Sequence, residues 1–135
     1  MLSLDLAVSL RNAGLEWAPA AGDRFAIPDR DLDDVVFVLS DMTIEVRELP
    51  EGTIIGFNGT TEWALDDLDK NEAVWLPRED QLRGLLGPSF RRLERQGDAY
   101  VVIAALDNAE SLFGAESPED AYAAAVLSSL YTVSR

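Results

Sequence analysis

Between Arg24 and Phe57 the apolar residues come either as short β-branched runs or in strict alternation with polar ones. Turn formers cut these runs at Pro28 and at Pro50-Glu51-Gly52. A period of two with frequent punctuation is the signature of short strands joined by tight connections. Residues 24–27 read as a strand between turn signals. Val35 to Leu39 reads as a central strand. Met42, Ile44 and Val46 alternate with Thr43, Glu45 and Arg47, which predicts a strand with one wet face. Thr53 to Phe57 returns after the Pro-Glu-Gly turn, completing an antiparallel meander.

Helical periodicity flanks the meander. Leu2, Leu6 and Leu10 are spaced by four, with Ser3 able to cap and Gly14 able to close in a left-handed conformation, so residues 3–13 read as an amphipathic helix. The alternation Leu2, Leu4, Leu6, Val8, Leu10 also fits a strand. From Thr60 the pattern is again helical, through Trp63, Leu65 and Leu68. Ala73 to Leu76 is a short strand or turn. Pro77 opens a helix containing Leu82, Leu85 and Leu86 and closed by Gly87. Pro88 opens another, with Phe90 and Leu93 inward, ending at Gly97. Tyr100 to Ala105 is a strand. Ser117-Pro118-Glu119-Asp120 starts a C-terminal helix whose stripe is Tyr122, Val126, Leu130 and Val133. Alanines at 121 and 123–125 suit close packing against a sheet. The expectation is a single α+β domain over 1–135: an antiparallel sheet of four to six strands with N- and C-terminal helices packed on it.

The chemistry available to this fold is narrow. The chain has no His and no Cys, and 25 acids against 11 bases give a net charge of −14. A Ser-His-Asp triad, a Cys nucleophile and an ordinary zinc site are excluded. Neither GxxxxGK[ST] nor GxGxxG occurs, so those routes to ATP or dinucleotide binding are closed. No cofactor is implied. The acidic balance opposes nucleic-acid phosphates and favours a protein partner with a basic surface. No apolar run approaches a membrane span, and Asp5 interrupts the first apolar stretch without a preceding Lys or Arg, so a cytoplasmic address is expected.

Charge is unevenly placed. Residues 1–69 hold fifteen acids and four bases, residues 70–97 four acids and six bases, and residues 98–135 six acids and one base. The densest acidic cluster is Asp29, Asp31, Asp33 and Asp34, read as an exposed loop. It fails as a calcium loop: its sixth position is Asp34 where the turn needs Gly, and its twelfth is Ser40 where a bidentate Glu belongs. Asp66 and Asp67, with Asp69, read as the exposed end of a helix. Glu62 beside Trp63 reads as a first-turn helix acid, and is the least implausible catalytic carboxylate. Trp17 and Trp75 read as core, and Trp63 is open to a partner. Arg78, Arg83, Arg91, Arg92 and Arg95, on consecutive short helices, read as pairing with Glu79, Asp80 and Glu94.

Two stretches, Trp17 to Phe57 (WAPAAGDRFAIPDRDLDDVVFVLSDMTIEVRELPEGTIIGF) and Val74 to Leu86 (VWLPREDQLRGLL), resemble a family of short bacterial proteins, some labelled pilus assembly protein of the Cpa type. The resemblance covers most of the chain and carries no catalytic motif. It implies a small intracellular bacterial protein, accessory to pilus or secretion assembly, and assigns no residue a role. Together these features predict a non-enzymatic acidic protein-binding domain, with Asp29, Asp31, Asp33, Asp34, Trp63, Asp66 and Asp67 as candidate partner-binding residues. The rival readings are an immunity-type or DNA-mimic inhibitor of a basic protein, a carboxylate-dependent metal enzyme, and a small-molecule binder.

Overall fold

The structure, a computed structural model, describes residues 1–28, 32–39, 45–49, 52–56, 67–69 and 73–133. It is an α+β arrangement in two compact units: Met1–Glu16 together with Pro77–Arg135, and Trp17–Leu76. The described strands form three antiparallel three-stranded sheets, where the sequence predicts one sheet of four to six. The meander divides because Leu32–Val38 pairs with Arg24–Ile27 while Glu45–Leu49 pairs with Gly52–Gly56.

In the unit Trp17–Leu76, one sheet has the order β2-β1-β6, from β1 (Arg24–Ile27), β2 (Leu32–Val38) and β6 (Val74–Trp75). Phe25 stands opposite Phe37 on one side and Trp75 on the other, an aromatic row across all three strands. Its rings meet Trp17 at 5.6 Å and Phe37 at 5.3 Å. Trp17, Phe25, Ile27, Leu39 and Ala73 make the core, with Phe37 and Trp75 packed against it. Trp17 and Trp75 are thus core residues, as their positions beside turns suggested. The second sheet has the order β3-β4-β5, from β3 (Glu45–Leu49), β4 (Gly52–Gly56) and β5 (Asp67–Asp69). Its register sets Val46, Ile55 and Leu68 in one cross-strand row. The expected helix from Thr60 to Leu68 does not reach its end, because 67–69 pair as a strand with Ile54–Gly56.

The other unit carries three helices and a meander. Helix α1 (Leu4–Asn12) starts at Ser3, whose Oγ accepts from the Leu6 amide at 3.4 Å. It ends where the Leu15 and Gly14 amides donate to Leu10 and Arg11 carbonyls at 3.0 Å each. That crossed pair needs a left-handed residue, and Gly14 supplies it at φ 104°. Helix α2 (Glu79–Leu86) buries Leu82 and Leu86; the Gln81 side chain returns to accept from the Arg78 amide at 2.9 Å. A 3₁₀ turn over Gly87–Ser89 leads into the meander of β7 (Phe90–Gln96), β8 (Ala99–Leu106) and β9 (Ala109–Ala115), in that spatial order.

The segment after Pro88 is therefore a strand, where the sequence predicts a helix. Phe90 and Leu93 nevertheless share a face. A bulge at Arg91 lets Phe90 pair with Ala104 and Leu93 with Val102, so a spacing of three keeps parity. Helix α3 (Pro118–Val133) packs on β8 and β9, with Phe90 and Tyr122 rings 5.6 Å apart. Ala121, Tyr122, Ala123, Ala125 and Val126 are buried, the small side chains allowing close approach. Leu130, expected in the buried stripe, is half-buried. Ser117 caps α3, its Oγ accepting from the Asp120 amide at 3.1 Å. Asp120 Oδ1 in turn accepts from the Ser3 amide at 2.8 Å, so one carboxylate stands at the N-termini of both α1 and α3.

Candidate functional site

The acids singled out as partner-binding candidates all belong to Trp17–Leu76. Asp29, Asp31, Trp63 and Asp66 lie outside the described residues, as does Glu62. Asp33 and Asp34 lie in β2 instead of the expected loop: pairing of Leu32 with Ile27 draws them into the strand. Asp67 lies in β5, opposite Gly56, instead of at a helix end. Among the described strands, both stand at the ends of their sheets. Charged residues on end strands keep the open row of backbone groups from pairing indiscriminately.

Sequence reasoning missed the acid with the most defined surroundings. Asp23 is 3% exposed. Its Oδ2 accepts from the Trp17 indole N–H at 2.9 Å and the Ala20 amide at 3.1 Å. Its own amide donates to the Ala20 carbonyl at 3.1 Å, closing a turn in which Gly22 adopts φ 88°. The Leu39 amide then donates to the Asp23 carbonyl at 2.9 Å, and the Gly22 amide to the Leu39 carbonyl at 2.8 Å. Asp23 thus fastens the segment 17–23 to the end of β2. A carboxylate whose oxygen is engaged by two donors is a structural anchor. The signal available was the Gly22-Asp23 turn six residues after Trp17. A second indole, Trp75, has its buried Nε1 without a hydrogen-bond partner among the described residues.

The arginines expected on consecutive helices are divided between α2 and β7. Arg78 Nε meets Asp80 Oδ1 at 3.1 Å, and this hydrogen bond holds the Asp80 carboxyl below its ordinary range. Arg92 Nε meets Glu94 Oε1 at 2.7 Å. That hydrogen bond, with a second from Gln96, lowers the Glu94 pKa, and the same pair raises that of Arg92. Arg92 also reaches Glu110 on β9 at 4.0 Å. Its side chain therefore crosses β8, where Ile103 stands between Arg92 and Leu112 in register and is fully buried. Arg83 lies over the Phe90 ring at 5.4 Å and Arg95 over Tyr100 at 5.9 Å. Arg91 Nη1 donates to the Pro88 carbonyl at 2.5 Å. Pairing with Asp80 and Glu94 follows the sequence expectation, on a strand for Glu94.

Among the described residues, no group of three or more His, Cys, Asp or Glu is placed to hold a metal ion, and no helix is long and apolar enough to cross a membrane. What the arrangement offers is a charge contrast. Trp17–Leu76 holds fourteen acids and four bases, net −10; the remaining residues hold eleven acids and seven bases, net −4. Comparison with family models, with curated proteins and with solved structures finds no match to this chain.

Proposed function

We propose that the chain is a non-enzymatic binding protein whose acidic unit, Trp17–Leu76, docks a basic protein surface. The supporting observation is the separation of charge between the units. Four bases cannot neutralise the fourteen acids of Trp17–Leu76, whereas the other unit spends arginines on Asp80, Glu94 and Glu110. An uncompensated acidic unit draws a cationic partner and accelerates encounter. Asp33, Asp34 and Asp67 lie on strands that end their sheets among the described strands. In the setting that the family resemblance implies, the partner is a component of pilus or secretion assembly in a bacterial cytoplasm.

The test is capture of partners on the immobilised chain at low and high salt, with the D33N/D34N/D67N variant in parallel. A partner rich in Lys and Arg, released by salt and weakened by the triple variant, supports the reading. A partner held equally at both salts through apolar surface would sink it, as would turnover of a substrate by the pure protein. If DNA competes for the same partner, the chain acts as a mimic of nucleic acid.

A further inference from the structure

We propose that β9 is a self-pairing edge: two copies of the chain join β9 to β9, antiparallel, about a two-fold axis at Leu112. This inference stands apart from the acidic unit, since it rests on the other one.

The two ends of the sheet β7-β8-β9 are built differently. β7 is broken by the bulge at Arg91 and carries exposed Arg91, Arg92 and Arg95. Bulges and charges are the devices that stop an edge from pairing. β9 has no bulge and a single charge. All seven of its residues pair with β8 without a break. It contains no Pro, Lys or Arg, and its one charged residue is Glu110. Ala109, Glu110, Leu112 and Gly114 are exposed, and no described strand pairs along the outer side. Leu112, the midpoint of the strand, is 68% exposed, the most exposed large hydrophobic among the described residues.

The sequence of β9 is complementary to itself. Antiparallel pairing centred on Leu112 sets Leu112 against the same residue of the second copy, Ser111 against Phe113, and Ala109 against Ala115, using the whole strand. Glu110 then stands opposite Gly114, where no side chain and no like charge meets it. Centring on Glu110 would oppose two carboxylates and shorten the ladder. Arg92 of the same copy already reaches Glu110 at 4.0 Å, which softens the one charge on the strand.

Gly114 supplies an independent clue. Its φ is not in the left-handed region, and a Cβ built there meets nothing closer than 3.9 Å. Nothing among the described residues demands glycine at this exposed strand position. The second copy's Glu110 gives a reason for leaving it bare. The product is a continuous six-stranded sheet in which the row Arg92, Ile103, Leu112 runs on into its symmetry mate.

Sedimentation and light scattering on the full chain test this. Wild type should show a concentration-dependent rise towards twice the 14.8 kDa chain mass. L112K should remain monomeric. G114E should raise the dissociation constant about tenfold by opposing Glu110 with a like charge, whereas G114K should not weaken the dimer. G84E and G84K make the same charge changes on exposed α2, where a Cβ has open space, and should leave association within twofold of wild type. Because the chain has no cysteine, L112C gives a single thiol at the axis. It should cross-link readily on oxidation, and L85C, on exposed α2, should not. A wild type that stays monomeric at high micromolar concentration overturns the proposal. So does a dimer that L112K and G114E leave intact. Should either variant unfold, the contrast between L112C and L85C decides.

Discussion

Asp23 closes a turn, holds an indole and fixes a strand end with one side chain. Asp23→Ala leaves the Trp17 indole N–H and the Ala20 amide without this acceptor in a buried setting, at about 1–3 kcal/mol for each unsatisfied donor. Asp23→Asn keeps one oxygen acceptor and should lose less; urea unfolding measures both. The sequence did not reveal this role, because an acid in Gly-Asp-Arg reads as exposed. Its burial depends on Trp17 folding back over it, for which the Gly22-Asp23 turn six residues later is the sole local sign. Trp17 and Trp75 were legible, since a large ring beside a turn closes the end of a core. Tyr122 carries a second residue-level consequence. Burial beneath the sheet raises its pKa above 10.0. The unfolded chain therefore releases the phenolic proton first as pH climbs. The stability that Tyr122 contributes is complete below pH 10.0 and is lost as pH rises through the folded-state value. Tyr122→Phe should flatten this alkaline decline, read as melting temperature against pH.

Elements announced themselves where they carry chemical punctuation. Ser3 with Gly14 and Ser117 with Pro118 bracketed α1 and the start of α3 to within a residue, because caps and left-handed glycines have local causes. β7 and β9 were hidden. Phe90–Gln96 is built from Arg, Leu, Glu and Gln, good helix formers, and its bulge imitates a helical spacing of three. Ala109–Ala115 has little β-branching, and pairing with β8 makes it a strand. Of the candidate surface, residue types were legible and their setting was not: Asp33, Asp34 and Asp67 became strand residues through pairing with β1 and β4. The helix junction at Asp120 yields a prediction on this scale. Asp120→Ala removes the acceptor for the Ser3 amide and a carboxylate from two helix N-termini, and should cost about 1–2 kcal/mol. Asp120→Asn keeps the hydrogen bond and loses the charge, so the difference between the variants in denaturant titration separates the two contributions.

Over the whole molecule, charge and connectivity divide along the same boundary. The acidic excess was visible in the sequence, but the unit that owns it was not, because the other unit is assembled from two stretches on either side of it. The two proposed associations answer to salt in opposite senses. Docking of a basic partner to Trp17–Leu76 weakens as salt screens attraction, whereas pairing of two chains of charge −14 strengthens as salt screens repulsion. The interrupted unit also has a history in time. Its Ser3–Asp120 hydrogen bond spans a sequence separation of 117, so closing it requires nearly the entire chain. During synthesis α1 leaves the ribosome before the acidic unit and long before the α3 it packs against. The acidic unit emerges between them as one continuous stretch, with its own core residues already in hand. Birth order and assembly order are thus reversed for α1: made before the acidic unit, it waits until after that unit to find its place.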